Sequence, residues 1–158
     1  MSYNSLKKYT RKKKNIMHIS TKCSVAIHCL IYIHEYGETT KVTSTLLSKS
    51  TGINPVSIRN ILSALKKDGI IRVKNGIGGA TMQCPAGDVS LYRICRALEP
   101  EFLEKLIGMH SNPSPTCPVG KNIASVLMCS YGKLYQDMRK SLQRITLGDV
   151  LADYRRIS

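Results

Sequence analysis

Asn54-Pro55-Val56-Ser57-Ile58-Arg59-Asn60, with the glycine turn Asn75-Gly76-Ile77-Gly78-Gly79-Ala80 downstream, decides how this chain is read. Asn54 is a residue that caps the free N–H groups of a helix start, and Pro55 sits where its missing N–H costs nothing. Ile58, Ile61, Leu62 and Leu65 then recur at helical spacing until Gly69, where a glycine lets the chain turn out of the helix. The opposite face carries Ser57, Arg59, Asn60, Lys66 and Lys67. A shorter helical pattern, Ser44 to Lys49, lies just upstream and is joined to the first by Thr51-Gly52-Ile53. Two helices across a glycine turn, followed by a basic hairpin, predict a winged helix-turn-helix, a module that reads double-stranded DNA.

Outward from this pair, Ser20 or Thr21 is placed to cap a helix running to about Tyr36, which Gly37 stops. That segment is apolar nearly all round, so it should be largely buried. Ile70–Lys74 and Ala80–Gln83 have strand character and flank the wing tip, and Ser90 opens a short helix with Leu91, Ile94, Cys95 and Leu98 on one face. The longest periodic stretch follows a proline-bearing segment and carries Val119, Ile123, Val126, Leu127, Tyr131, Leu134, Met138, Leu142 and Ile145. Its roughly 40 Å of helix exceeds what a small domain covers by itself. A second copy of the chain is the economical partner, with Ile123, Leu127, Tyr131, Leu134 and Met138 as the dimerisation seam. Thr146-Leu147-Gly148-Asp149 has the spacing of a capping box and opens a short last helix. The expected architecture is mainly α with a small β wing. Residues 1–16 form a basic disordered extension, 17–99 the winged helix-turn-helix, 100–118 a linker, and 119–158 the dimerisation helix and short C-terminal helix.

Charge points the same way. The 158 residues carry a formal charge of +14, a bias that favours a polyanionic partner. Lys7, Lys8, Arg11, Lys12, Lys13 and Lys14 account for six of those charges, leaving the body of the chain basic as well. No apolar run approaches the roughly 18 residues of a membrane span, and no h-region follows the basic start, so a cytoplasmic protein without a signal peptide or membrane contact is expected. The six cysteines lie far apart with no CxxC pair, which in such a compartment reads as reduced thiols.

In this order and spacing the pieces resemble the Rrf-two family of bacterial winged-helix transcriptional regulators. The residues that carry the resemblance are Met17-His18-Ile19-Ser20-Thr21 with Ala26, Gly52-Ile53-Asn54-Pro55 and Ile61-Leu62-Ser63-Ala64-Leu65-Lys66-Lys67-Asp68-Gly69. The wing Gly76-Ile77-Gly78-Gly79-Ala80, Cys117-Pro118-Val119-Gly120-Lys121-Asn122-Ile123 and Ile145-Thr146-Leu147-Gly148-Asp149 complete it. The wing and the Cys-Pro-Val-Gly segment look most like the YwnA-like branch. The resemblance implies a homodimer on a palindromic operator, usually a repressor. Members with an iron–sulfur cluster carry three cysteines close together before the long helix, whereas this chain has only Cys117 there, so no cofactor is expected. Asn75 stands where the family often has a wing arginine.

The candidate DNA-binding residues are Ser20, Thr21, Lys22, Lys49, Asn54, Pro55, Val56, Ser57, Arg59, Arg72, Lys74, Asn75 and Gly76. Arg59 suits a bidentate contact to guanine and Val56 a thymine methyl, while Lys22, Lys49, Arg72 and Lys74 suit phosphates. Cys117 precedes Pro118 at a helix start, where the helix dipole favours the thiolate. It is the candidate redox residue, with Cys23 as a weaker partner; Cys29, Cys95 and Cys129 read as core. The four histidines show no metal-ligand spacing with the cysteines, and no neighbouring His and acid make Cys117 an enzyme nucleophile. An RNA- or ribosome-binding winged helix is the alternative function, which the basic N-terminal run also suits. An unidentified effector or protein partner is compatible with either.

Overall fold

The computed structural model describes residues 19–74, 79–106 and 112–158. The basic extension, the wing tip with Asn75 and Gly76, and His110 lie outside the described residues. Among the described residues, six α-helices accompany one two-stranded sheet: α1 (Thr21–Tyr36), α2 (Ser44–Thr51), α3 (Pro55–Lys67), β1 (Ile71–Val73), β2 (Ala80–Met82), α4 (Leu91–Leu98), α5 (Pro118–Arg144) and α6 (Leu147–Ile157). Short 3-10 turns at Ala86–Asp88 and Glu104–Leu106 precede α4 and follow it.

Local chemistry sets the helix boundaries. The Ser20 and Thr43 hydroxyls accept from backbone N–H groups in the first turns of α1 and α2. Asn54 Oδ1 accepts from the Ser57 N–H at 2.9 Å, and Pro55 occupies the first turn of α3. Gly52 adopts φ +71° between α2 and α3, the left-handed conformation that lets two helices meet across so short a turn. The capping box at α6 is complete: Thr146 Oγ1 accepts from the Asp149 N–H, and Asp149 Oδ2 accepts from the Thr146 N–H.

The main core gathers Leu30 and Ile33 of α1, Leu47 of α2, Ile58, Ile61 and Leu65 of α3, Ile71 of β1 and Ile94 of α4. Helix α1 buries Cys23, Ala26, Cys29, Leu30 and Ile33, while Val25, Ile27, Ile31 and Tyr32 are half-buried. Strands β1 and β2 are antiparallel, with Ile71 opposite Met82 and Val73 opposite Ala80. The Ala80 N–H also donates to the Val42 carbonyl at 2.9 Å, so the segment entering α2 is stitched to the wing. Gly79 makes this possible. A Cβ there would lie 2.4 Å from the Val42 nitrogen.

The chain ends where it began. Leu91 donates its N–H to the Ile145 carbonyl, and Leu147 donates to Val89 at 2.7 Å, so α6 returns to the N-terminal core and buries Leu147 and Leu151 in it. Leu147→Ala is therefore expected to cost about 2–5 kcal/mol, as for other buried leucines. Urea unfolding checks this, and a loss below about 1 kcal/mol would mean α6 is an appendage.

A second cluster joins the head to the long helix. Cys23, Cys95, Phe102, Leu103 and Leu106 are buried there, with Tyr92, Tyr135, Met138 and Leu142 packed against them. Residues 102–106 are thus packed chain within the stretch read as linker. Met138 of the proposed seam is half-buried against this cluster of its own chain. The N-terminal two-thirds of α5 is different, with Val119, Val126 and Leu134 exposed at 69%, 60% and 43%. Cys129, read as core, is exposed. It lies two residues past Leu127, about 200° around the helix from the stripe. No helix among the described residues is long and apolar enough to cross a membrane.

Candidate nucleic-acid interface

Burial of Ile58, Ile61, Leu62 and Leu65 fixes the rotation of α3. The opposite face must therefore present Val56, Arg59, Asn60 and Ser63, which recur at intervals of three and four residues and are all exposed. Val56 is 57% exposed despite being apolar and at the helix start. A valine facing water is unremarkable alone, but here it stands beside Arg59 on the end of the helix that a winged helix-turn-helix inserts into the major groove. Ser57 has its backbone N–H engaged by Asn54 and is half-buried. Ser63 was missed in the sequence reading; its position four residues beyond Arg59 is the signal that could have found it.

Between α3 and the wing runs an open groove of about 440 Å³, walled by Thr43, Arg59, Ser63, Lys66, Val73 and Gly79. The stretch from Thr39 to Lys67 contains Lys41, Lys49, Arg59, Lys66 and Lys67 and no acid. Lys49 is exposed at the end of α2, and Arg72 and Lys74 are exposed on the wing side. Arg72 is held by donation from its Nε to Thr81 Oγ1 at 2.9 Å across the strand pair. Lys22, at the α1 start, lies 3.4 Å from Glu99 in an exposed ion pair, which any phosphate would have to displace. Ser20 and Thr21 flank it, with the Ser20 hydroxyl committed to the helix cap and the Thr21 carbonyl accepting from Ser24.

Behind the reading helix stands a clamp that sequence spacing did not reveal. Arg93 of α4 donates from Nε to Asp68 Oδ2 at 2.6 Å and from a terminal nitrogen to the Asp68 carbonyl at 2.7 Å. Its other terminal nitrogen faces Cys84 Sγ at 3.7 Å. Asp68 caps the C-terminal end of α3. One guanidinium therefore ties the end of the reading helix to α4 and to the strand leaving the wing. Hydrogen bonding to Asp68 holds the Arg93 guanidinium in its charged form.

Cys117 is the N-cap of α5 and is exposed. The Gly120 and Val119 N–H groups at the helix start draw its pKa below the ordinary thiol value, though the sulfur closes no cap hydrogen bond. Gly120 leaves room for this turn, since a Cβ there would stand 2.4 Å from the Ser114 carbonyl oxygen. Cys23 is not brought to it within one chain. Cys23 packs in the cluster that holds Tyr135, about 27 Å of helix beyond Cys117.

The fold and the basic edge define a winged-helix DNA-binding regulator, with no catalytic constellation required. The chain belongs to the Rrf2 family, described as iron-dependent transcriptional regulators, whose model matches residues 19–153. It is 34% identical over 133 residues to a Bacillus subtilis protein named "Putative HTH-type transcriptional regulator YwnA", covering 84% of this chain and 96% of that one. A "putative transcriptional regulator" from Lactobacillus plantarum superposes with a TM-score of 0.69 at 28% identity, over 85% of this chain and 89% of that chain. The fold is shared with T. potens IscR at 18% identity and a TM-score of 0.64, over 87% and 88% of the two chains.

Among the described residues no donor set matches the family's iron. Cys117 is the single cysteine between Pro100 and α5, and no three His, Cys, Asp or Glu side chains converge among the described residues. Three linker thiols would be needed for the cluster pattern.

Proposed function

We propose that this chain is a homodimeric, cytoplasmic repressor that reads a palindromic duplex operator. The observation that carries this is the exposed face Val56-Arg59-Asn60-Ser63, set beside cations on α2 and the wing. Phosphates take Lys49, Arg72 and Lys74, with Lys22 leaving Glu99 to join them, and these contacts supply affinity and register. Arg59 and Val56 supply the choice of bases. The stripe of α5 that lies outside both core clusters, with Ile123, Leu127 and Tyr131 half-buried and Leu134 exposed, pairs two copies. A dimer places two reading heads about one helical turn apart, or a multiple of it, which is what a palindrome requires.

Selection of bound duplexes from a random pool, with structured RNA as competitor, tests the reading. A two-fold symmetric consensus is the expected result. Preferential retention of RNA would establish the ribosome- or RNA-binding alternative instead.

Readout and anchoring separate by substitution. Arg59→Ala is expected to cost about 1–3 kcal/mol and to relax preference at one position per half-site, whereas Lys74→Ala weakens all sequences about equally. Fluorescence anisotropy on consensus and scrambled duplexes measures both, and identical profiles would overturn the division of roles.

The exposed thiol at the start of α5 is the proposed signal-sensing residue. The Gly120 and Val119 N–H groups at the start of α5 lower its pKa, so more thiolate is present at neutral pH than for a free cysteine, and iodoacetamide is expected to modify Cys117 well before Cys29. Burial pushes the Cys29 thiol up to about 11. Glutathione disulfide, which reaches exposed thiols, should release the operator from wild type and leave Cys117→Ser bound. Release from Cys117→Ser at the same dose of glutathione disulfide would place the sensor elsewhere.

A further inference from the structure

Cys23 and Cys95 are 72 positions apart in sequence, yet their thiols touch. Cys95 donates its S–H to the Cys23 sulfur, and both are buried, at 1% and 2% exposure. They are the only two cysteines among the described residues that partner one another. Around them stand Phe102, Leu103 and Leu106, with Tyr92, Tyr135, Met138 and Leu142 closing the cluster. This cluster is the joint between the reading head and the long helix. Cys23 lies in the first turn of α1, next to Lys22, and Cys95 lies on α4, two residues from the Arg93 clamp on α3. Arg139 of α5 also rests over the Tyr92 ring at 5.4 Å, so α4 is held by the long helix on this side.

We propose that Cys23 and Cys95 form a dithiol redox site, closed to an intrachain disulfide by hydrogen peroxide, that alters how the reading head sits on the long helix. The two sulfurs divide the work. Cys23 accepts the hydrogen bond, which outweighs burial and the nearby Glu99 carboxylate, so it is the more readily ionised thiol, while Cys95 holds its proton. The Cys23 thiolate attacks one peroxide oxygen, breaking the O–O bond; the departing hydroxide takes up a proton as water, and sulfenic acid remains. The Cys95 sulfur then attacks the sulfenic sulfur, forming the S–S bond and expelling the oxygen as a second water. Two thiols lose two electrons and two protons, and one peroxide becomes two waters.

A disulfide needs the sulfurs at about 2.05 Å, so α1 and α4 must draw together relative to the hydrogen-bonded pair. The apolar wall makes the site selective. Peroxide is small enough to reach a thiol behind such a wall, whereas a tripeptide disulfide is not. The resolving thiol already lies against the first, so oxidation stops at the disulfide rather than continuing to the sulfinic acid. This site is separate from the exposed Cys117.

The test uses the full chain carrying Cys117→Ser and Cys129→Ser, which removes the exposed thiols and leaves four of the six cysteines. Peroxide followed by quenching, proteolysis and mass spectrometry is expected to yield one linked peptide pair joining Cys23 to Cys95, with Cys29 and Cys84 still reduced. Glutathione disulfide at equal concentration should give none. A different linked pair, or Cys23 and Cys95 left reduced while Cys29 reacts, overturns the proposal. Duplex affinity, read by anisotropy on the same sample, is expected to change about tenfold and to recover with a thiol reductant. In that background Cys95→Ser, and independently Cys23→Ala, should bind as the reduced protein does and ignore peroxide. A disulfide that leaves affinity unchanged overturns the switching role. That role rests on the DNA-binding reading, whose own failure would show as a reduced protein that binds no duplex, with the peptide map still deciding the disulfide.

Discussion

Duplex affinity is expected to fall about a thousandfold as salt rises from about 50 to 200 mM, for neutralisation of roughly six phosphates. The number follows from the surface. Lys49, Arg72 and Lys74 are exposed, and none forms an ion pair among the described residues, which gives three cations per protomer and twice that per dimer. Lys22 adds less, since its gain on phosphate is offset by losing Glu99 at 3.4 Å. Each phosphate contact releases condensed counterions, so the logarithm of the binding constant should fall linearly with the logarithm of salt. Lys74→Ala should reduce the slope by about one per site removed, and Arg59→Ala should leave it closer to wild type if Arg59 contacts a base. A flat salt response, or equal affinity for an isolated half-site, would remove the phosphate-anchored dimer.

The reading head was legible because its signals are local. Asn54 and Pro55 cap α3 with no help from the rest of the fold, and the three-and-four spacing of Ile58, Ile61, Leu62 and Leu65 fixes its buried face. Once that face is fixed, Arg59 can only point outward. The capping box at Thr146 is local for the same reason. What stayed hidden depends on contacts between distant residues. The Arg93–Asp68 clamp joins positions 25 apart, and neither residue breaks its local pattern. The Val42–Ala80 hydrogen bond is a backbone contact and leaves no side-chain period. Phe102, Leu103 and Leu106 sit between Pro100 and the prolines at 113 and 115, so turn-forming residues masked a short packed segment. The Cys23–Cys95 contact follows from the crossing of α1 and α4, which spacing alone could not give. On α5 the periodicity identified an apolar stripe correctly, but could not divide it. Its C-terminal part is covered by the chain's own second cluster, and only the preceding two-thirds is left open.

That division makes Leu134→Glu a decisive substitution. Leu134 is 43% exposed in the single chain, aligned with Ile123 and Leu127 at helical intervals and just short of the self-packed region at Tyr135 and Met138. A glutamate there meets water in an isolated protomer, so folding should be nearly unaffected, within about 0.5 kcal/mol for an exposed position. In a dimer the same carboxylate would be buried in an apolar seam with no cation placed to receive it, which costs far more than a seam leucine contributes. Sedimentation is therefore expected to show a monomer, with a melting temperature at infinite dilution unchanged from wild type. Operator affinity should drop steeply with it, because two half-sites no longer share one binding event and the second head's contribution is lost. Met138→Glu should behave differently. It strikes the chain's own cluster, so it should lower stability before it alters association. A Leu134→Glu protein that stays dimeric would show that the uncovered stripe is not where two copies meet, and the seam would have to be sought on another face.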